Sequence, residues 1–61
     1  MEIMWYEVTG HNSEERYSNG YADYYQTFDT LQESRKHAQE ISAKYPIVII
    51  RKVQSREIKL R

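Results

Sequence analysis

The chain has 61 residues, no cysteine and a formal net charge of zero. A chain of this length forms one domain, and the lack of cysteine excludes disulfides and thiolate metal sites. No apolar run approaches the roughly 20 residues of a membrane span, and the N-terminal segment lacks the basic and apolar regions of a secretory signal. We therefore expect a complete, small, soluble, cytoplasmic protein.

The charges are unevenly distributed along the chain. Residues 1–33 hold seven acidic side chains and one basic, whereas residues 34–61 hold eight basic and two acidic. This asymmetry has two explanations: the halves neutralise each other in the fold, or the basic end meets an anionic partner. We favour neutralisation within the fold.

The first predicted element is a strand over residues 3–9, "IMWYEVT". Alternation in a strand places Met4, Tyr6 and Val8 on one face. This is the more apolar set, so we expect it to face the core. Trp5 then lies on the opposite face, partly exposed.

The polar segment 10–20 connects this strand to the next and contains Asn19-Gly20. Asn-Gly favours a type I′ hairpin turn, which would pair 14–18 with 21–25. Alternatively, the whole segment is an irregular loop. We favour the loop because residues 13–16, Ser-Glu-Glu-Arg, show no strand pattern.

The next predicted strand spans residues 21–28, "YADYYQTF", which is rich in tyrosine. Its alternation directs Tyr24 and Phe28 to one face and Tyr21 and Tyr25 to the other. We expect Tyr24 and Phe28 beneath the helix, and Tyr21 and Tyr25 on the uncovered face.

A helix is predicted over residues 30–45. Thr30 and Glu33 have the spacing of a capping box, and Pro46 disfavours helical geometry in the residue before it. One face of the helix carries the apolar and small side chains at intervals of three, four and seven. These are Leu31, Ser34, Ala38, Ile41 and Tyr45.

The last clear strand is "IVIIRKV", residues 47–53, and the alternating tail 56–61 is either a fourth, edge strand or a frayed end. The predicted fold is α+β: one helix on one face of a small antiparallel sheet of three or four strands. The element order is strand, strand, helix, strand, and we expect the final strand to lie beside the first.

Residues suited to catalysis or metal binding are few. The two histidines are His11, in a predicted turn, and His37, on the polar face of the predicted helix. No nucleophile motif, phosphate loop or metalloprotease motif is present. We predict no enzymatic activity, no catalytic residue, no metal and no cofactor.

The aromatic residues point instead to binding. Tyr and Trp are enriched at protein interfaces, and a sheet with one helix leaves one face uncovered. Large rings on that face would form an exposed apolar patch, which is typical of a binding or dimer surface. The predicted protein-binding residues are Trp5, Tyr17, Tyr21 and Tyr25, with a protein partner or a second copy of the chain as occupant.

Nucleic-acid binding is the alternative. Basic side chains that follow a phosphate backbone, together with rings that stack on bases, form a single-strand platform. The candidate residues are Arg51, Lys52, Arg56, Lys59 and Arg61. A pI of about 6.7 argues against this alternative.

The order of elements also resembles a known group of proteins. The "WYEV" strand, the junction "YYQTFDTLQES", the helix "KHAQEISAKYP" and the strand "VIIRKV" are similar in layout to small phage and bacterial accessory proteins. Among these are the podovirus inhibitors of host RNA polymerase. The resemblance spans residues 4–53 and implies a phage-type accessory protein that acts by binding another protein, as a regulator or inhibitor of a host factor.

Overall fold

The structure, a computed structural model, describes the backbone of residues 2–56 and the side chains of residues 3–55. Within residues 2–56, three strands and two helices follow in the order β1, α1, β2, α2, β3. Their bounds are β1 Glu2–His11, α1 Glu14–Ser18, β2 Tyr24–Phe28, α2 Leu31–Ile41 and β3 Ile47–Arg56.

The three strands form one antiparallel sheet in the order β2-β1-β3. This confirms the predicted α+β class and the position of the final strand beside the first. Residue 56 ends β3. The rest of the possible fourth strand, residues 57–61, lies outside the described residues.

The connection between β1 and β2 contains a short helix that the sequence did not predict. The Ser13 hydroxyl accepts a hydrogen bond from the Arg16 N–H at 3.2 Å and so caps α1. Because residues 14–18 are helical, the alternative hairpin between 14–18 and 21–25 is wrong. The favoured prediction, an irregular loop over residues 10–20, is also wrong for residues 14–18. Gly20 has a φ of 81°, a conformation that glycine adopts without steric cost.

Strand β2 begins at Tyr24, three residues later than predicted. The preceding residue, Asp23, is held by one backbone and one side-chain hydrogen bond outside the regular strand pairing. Its backbone N–H donates to the Gly10 carbonyl at 2.9 Å, and its carboxylate accepts from the Asn12 N–H at 2.8 Å. Tyr21 therefore lies outside the strand, and the prediction that it shares a strand face with Tyr25 is wrong.

Helix α2 begins as predicted and ends four residues early. The Thr30 hydroxyl accepts from the Glu33 N–H at 3.2 Å and donates to Glu33 Oε1 at 2.9 Å. The helix stops at Ile41, and next to its end the Ser42 hydroxyl donates to the Gln39 carbonyl at 2.6 Å. Residues 42–44 continue as turns.

The core between α2 and the sheet is small and tightly packed. Val8, at the centre of β1, is fully buried, and Ser34 and Ala38 on α2 are buried above the sheet. Small side chains at these helix positions allow the helix to approach the sheet closely. Gly10 serves the same purpose, because a Cβ built there would lie 2.8 Å from two ring atoms of Tyr45.

The molecule is elongated and thin, with principal extents of 46 × 26 × 11 Å. The β1–β3 ladder is continuous from the pair Glu2↔Arg56 to the pair His11↔Ile47, whereas β2 pairs only with Tyr6–Gly10. Among the described residues, the far end of the sheet is therefore a two-stranded ribbon. Within residues 2–56, neither helix has the length and apolar character needed to cross a bilayer.

Candidate functional site

The sheet has one face packed against α2 and one face that α2 leaves uncovered, here called the open face. The rings of Tyr24 and Phe28 contact His37 of α2, which confirms the prediction that both lie beneath the helix. The cross-strand pairs Tyr6↔Lys52 and Val8↔Ile50 share that side. Alternation therefore directs the following described side chains to the open face: Ile3, Trp5, Glu7, Thr9 and His11 of β1, Tyr25 and Thr27 of β2, and Ile47, Ile49, Arg51, Val53 and Ser55 of β3.

Glu7 is at the centre of the open face, and its carboxylate has a partner on each neighbouring strand. The Tyr25 hydroxyl donates to Oε2 at 2.6 Å, and Arg51 Nη2 donates to Oε1 at 2.8 Å. The side chain of Glu7 is only 12% exposed. The ion pair joins the acidic first half of the chain to the basic second half. It is a contact of the kind expected if the two halves neutralise each other within the fold.

These contacts shift the pKa values of Glu7 and Tyr25. The hydrogen bond from Tyr25 is the main cause that lowers the pKa of Glu7, and Arg51 and Trp5 act in the same direction against partial desolvation. The same hydrogen bond raises the pKa of the Tyr25 phenol, because it stabilises the protonated hydroxyl. At neutral pH the open face therefore presents a carboxylate and a guanidinium that are already paired with each other.

At one end of the open face, α1 covers His11. The ring of Tyr17 meets the imidazole edge-on, with ring centroids 5.0 Å apart. His11 is 5% exposed, and both its ring nitrogens have partners: Nδ1 lies 2.6 Å from the Tyr21 carbonyl and Nε2 lies 3.0 Å from the Thr9 hydroxyl. The prediction of a turn position for His11 is wrong, since it is a buried residue at the end of β1.

A shallow groove of about 380 Å³ runs from α1 across the open face. Its walls combine rings, aliphatic groups and the paired charges. The residues that line it are Glu7, Thr9, His11, Tyr17, Gly20, Ala22, Tyr25, Ile49 and Arg51.

The loop beside α1 is held by a second ion pair. Arg16 Nη2 lies 2.7 Å from Asp23 Oδ1, and the Arg16 Nε–H also donates to this carboxylate. The hydrogen bond from Arg16 is the main cause that lowers the pKa of Asp23, and the same bond raises the pKa of Arg16. The Arg16 guanidinium also lies 5.5 Å from the centre of the Tyr21 ring.

The structure brings together three of the four predicted protein-binding residues. Trp5 and Tyr25 are on the open face, and Tyr17 borders it from α1. Tyr21 is exposed and lies under Arg16 in the loop after α1. The prediction missed Glu7 as the hydrogen-bonding centre of this face, although the alternation of β1 placed it beside Trp5.

The predicted nucleic-acid-binding residues do not form one described surface. Arg51 is on the open face and paired with Glu7, whereas Lys52 pairs with Tyr6 on the opposite, helix-facing side. Arg56 ends β3, and Lys59 and Arg61 lie outside the described residues.

His37 lies against the sheet, so the prediction that it occupies the polar helix face is wrong. Its Nε2 forms a hydrogen bond with the Tyr24 hydroxyl, and its Nδ1 lies 3.8 Å from Glu40 Oε2. The period of the helix turns position 37 toward β2, where Phe28 also contacts the ring. Among the described residues, no group of three or more His, Asp or Glu side chains could hold a metal ion.

Comparisons with protein-family models, with curated proteins and with solved structures each found no match.

Proposed function

We propose that this is a non-enzymatic accessory protein that binds another protein through the open face of its sheet. The observation that carries the proposal is the character of that face. Exposed rings and aliphatic side chains surround a charge pair, Glu7 and Arg51, that is satisfied within the chain. A partner can cover such a face without leaving either charge unpaired.

The aromatic residues supply the contact area for a partner. Tyr25 is 55% exposed although its hydroxyl is fixed by Glu7, so its ring is held in place before binding. A ring that is already immobilised loses little side-chain entropy when a partner packs on it. Tyr17 borders the same groove from α1 and is also exposed.

The layout of the chain suggests the biological setting. Its resemblance to phage-type accessory proteins, among them the inhibitors of host RNA polymerase, supports a role as a regulator or inhibitor of a host factor. Under this proposal the protein acts in the bacterial cytoplasm, and its effect comes from occupying a surface of the partner.

The test is affinity capture from bacterial lysate with two variants matched in kind. Tyr25→Ser changes the open face, and Leu31→Ser changes a residue of α2 that is 37% exposed. A partner retained by the wild type and by Leu31→Ser, and lost with Tyr25→Ser, is then purified and titrated against all three proteins by calorimetry. The proposal fails if the purified partner binds Tyr25→Ser as tightly as the wild type.

A further inference from the structure

The segment of β1 that extends beyond β2 has an unusual edge. Residues Glu2–Trp5 pair with β3 on one side, and within the described chain no strand pairs with them on the other. We propose that a second copy of this chain pairs antiparallel with this edge, so that the β1 strands of two molecules form the centre of a continuous sheet. This inference concerns an edge of the sheet and does not depend on the proposed function.

The end of β1 that pairs with β2 shows in which direction the backbone N–H and C=O groups of β1 point. The Gly10 carbonyl accepts from the Asp23 N–H on the β2 side, so the polar backbone groups of Gly10 point toward that edge. Because these directions alternate along a strand, the groups of Glu2 and Met4 point to the same edge, and those of Ile3 and Trp5 point toward β3. The free edge therefore offers two N–H and two C=O groups.

The edge lacks several features that usually prevent strand addition. Natural edge strands are often protected by Lys, Pro or bulges, and the pairing of Glu2–Trp5 with β3 is continuous. The segment "EIMW" contains no Lys, Arg or Pro, and Ile3 and Met4 are 49% and 46% exposed on its two faces. By contrast, β3 carries Arg51 and Lys52 along the opposite edge of the sheet.

Of the registers open to a second copy, one uses the outward groups of both Glu2 and Met4 without disturbing β2. In an antiparallel pair, directly opposed side chains share a face of the sheet. When the two strands are copies related by a two-fold axis, this condition places one residue opposite its own counterpart. Centring the pair on Met4 would place Glu2 opposite the partner's Tyr6, whose edge is already occupied by Phe28. Centring it on Ile3 places Glu2 opposite Met4 in both directions and leaves β2 undisturbed.

The Ile3-centred register also matches the backbone groups. Glu2 and Met4 carry the outward groups, so they form the hydrogen-bonded pairs, and Ile3 meets its counterpart in a non-hydrogen-bonded pair. Side chains approach most closely in such pairs, with Cα atoms about 4.5 Å apart. Pairing converts a two-stranded ribbon, which is marginally stable alone, into four strands. The contact is small, so we expect a dimer that dissociates on dilution.

The absence of cysteine from the chain allows a direct test. A single cysteine at Ile3 would face its own counterpart at a Cα separation that a disulfide can span. Thr27→Cys is the matched control, because Thr27 is exposed on the same face but lies beside the blocked part of β1. Under mild oxidation, Ile3→Cys should form covalent dimers at least about tenfold faster than Thr27→Cys.

Sedimentation equilibrium measures the association without a cross-link. The wild type should show a mass that rises from 7.4 kDa toward twice that value as its concentration increases. Ile3→Lys, which places like charges opposite each other, should raise the dissociation constant about tenfold or more, whereas Thr27→Lys should leave it unchanged. Circular dichroism confirms that each variant is folded.

Two results would overturn the proposal. One is a wild-type protein that sediments at 7.4 kDa up to its highest soluble concentration. The other is a dimer that Ile3→Lys does not weaken and that Ile3→Cys does not cross-link faster than Thr27→Cys, since such a dimer uses a different surface.

Discussion

The Tyr25 hydroxyl donates a 2.6 Å hydrogen bond to Glu7 Oε2 across the β1–β2 ladder. Tyr25 lies directly opposite Thr9 in the register, and Glu7 lies opposite Thr27, so the contact is a diagonal one. Arg51, directly opposite Glu7 on β3, completes the arrangement. One carboxylate thus links all three strands on the open face of the sheet.

Tyr25→Phe tests this link because it removes only the hydroxyl. The variant should raise the pKa of Glu7 toward its ordinary value of 4.5, since the hydrogen bond from Tyr25 is the main cause of the lowered pKa. NMR titration of the Glu7 carboxyl carbon measures the change. Tyr21→Phe is the control, and an equal shift in that variant would contradict the assignment.

The stability difference between the wild type and Tyr25→Phe should depend on pH. A carboxyl with a lowered folded pKa stabilises the fold above its unfolded pKa, and this stabilisation is lost as the pH falls through the folded pKa. The wild type should therefore be more stable than Tyr25→Phe at neutral pH, with a difference that shrinks below about pH 4.5. Urea unfolding across this range measures it, and a difference constant with pH would contradict the prediction.

Asp23 should control how firmly α1 is held. Asp23→Ala removes both the ion pair with Arg16 and the acceptor for the Asn12 N–H, whereas Asp23→Asn retains an oxygen for Asn12. Amide exchange at Tyr17, whose N–H donates to the Ser13 carbonyl at 3.1 Å, should be fastest in Asp23→Ala and intermediate in Asp23→Asn.

The lowered pKa of Asp23 adds a pH dependence to this prediction. In the wild type, exchange at Tyr17 should accelerate, relative to its intrinsic rate, as the pH falls below about 3.8 toward the folded pKa. The Ser42 amide at the end of α2 donates to the Ala38 carbonyl and is the internal control. Equal acceleration at both amides would indicate global unfolding and contradict a local role for Asp23.

Gly10→Ala should destabilise the fold by about 1–3 kcal/mol. The new Cβ would lie 2.8 Å from the Tyr45 ring and 3.3 Å from Tyr24 Cβ, so the ring or the strand has to shift. A double-mutant cycle with Tyr45→Ala identifies the cause, because the Gly10→Ala cost should fall when the ring is absent. Additive costs in urea unfolding would show that strand pairing, rather than the ring, requires glycine.

His11 should carry its proton on Nδ1 in the neutral form. A carbonyl oxygen can only accept, so Nδ1, 2.6 Å from the Tyr21 carbonyl, must donate, and Nε2 then accepts from the Thr9 hydroxyl. Long-range ¹H–¹⁵N correlation spectra distinguish the two tautomers directly. Thr9→Val should leave the tautomer unchanged, and a proton found on Nε2 would contradict the contact with Tyr21.

Several elements of the fold could be predicted because their signals are local. The Thr30–Glu33 cap and the spacing of Ser34 and Ala38 lie within one turn or two of helix. Alternation in β1 correctly separated Val8, which is buried, from Trp5 on the open face. These patterns depend on the geometry of single elements.

Other features could not be predicted because the deciding contacts join residues distant in sequence. Asp23 contacts Asn12 and Arg16, and β2 begins only after it, at Tyr24. The end of β1 was extended to His11 by pairing with Ile47, which turned a predicted turn residue into a buried one. Each deciding partner was itself an ordinary polar or aliphatic residue.

The sequence by itself determined the class of the fold, the capped helix and the strand faces, because hydrophobic periodicity and capping act within a few residues. Only the tertiary structure decided that Glu7 links Tyr25 to Arg51, that Tyr21 leaves the sheet, and that β2 is shorter than β1. Strand register is a relationship between distant segments, and it fixes both the composition of the open face and the length of β1 left without a neighbour among residues 2–56.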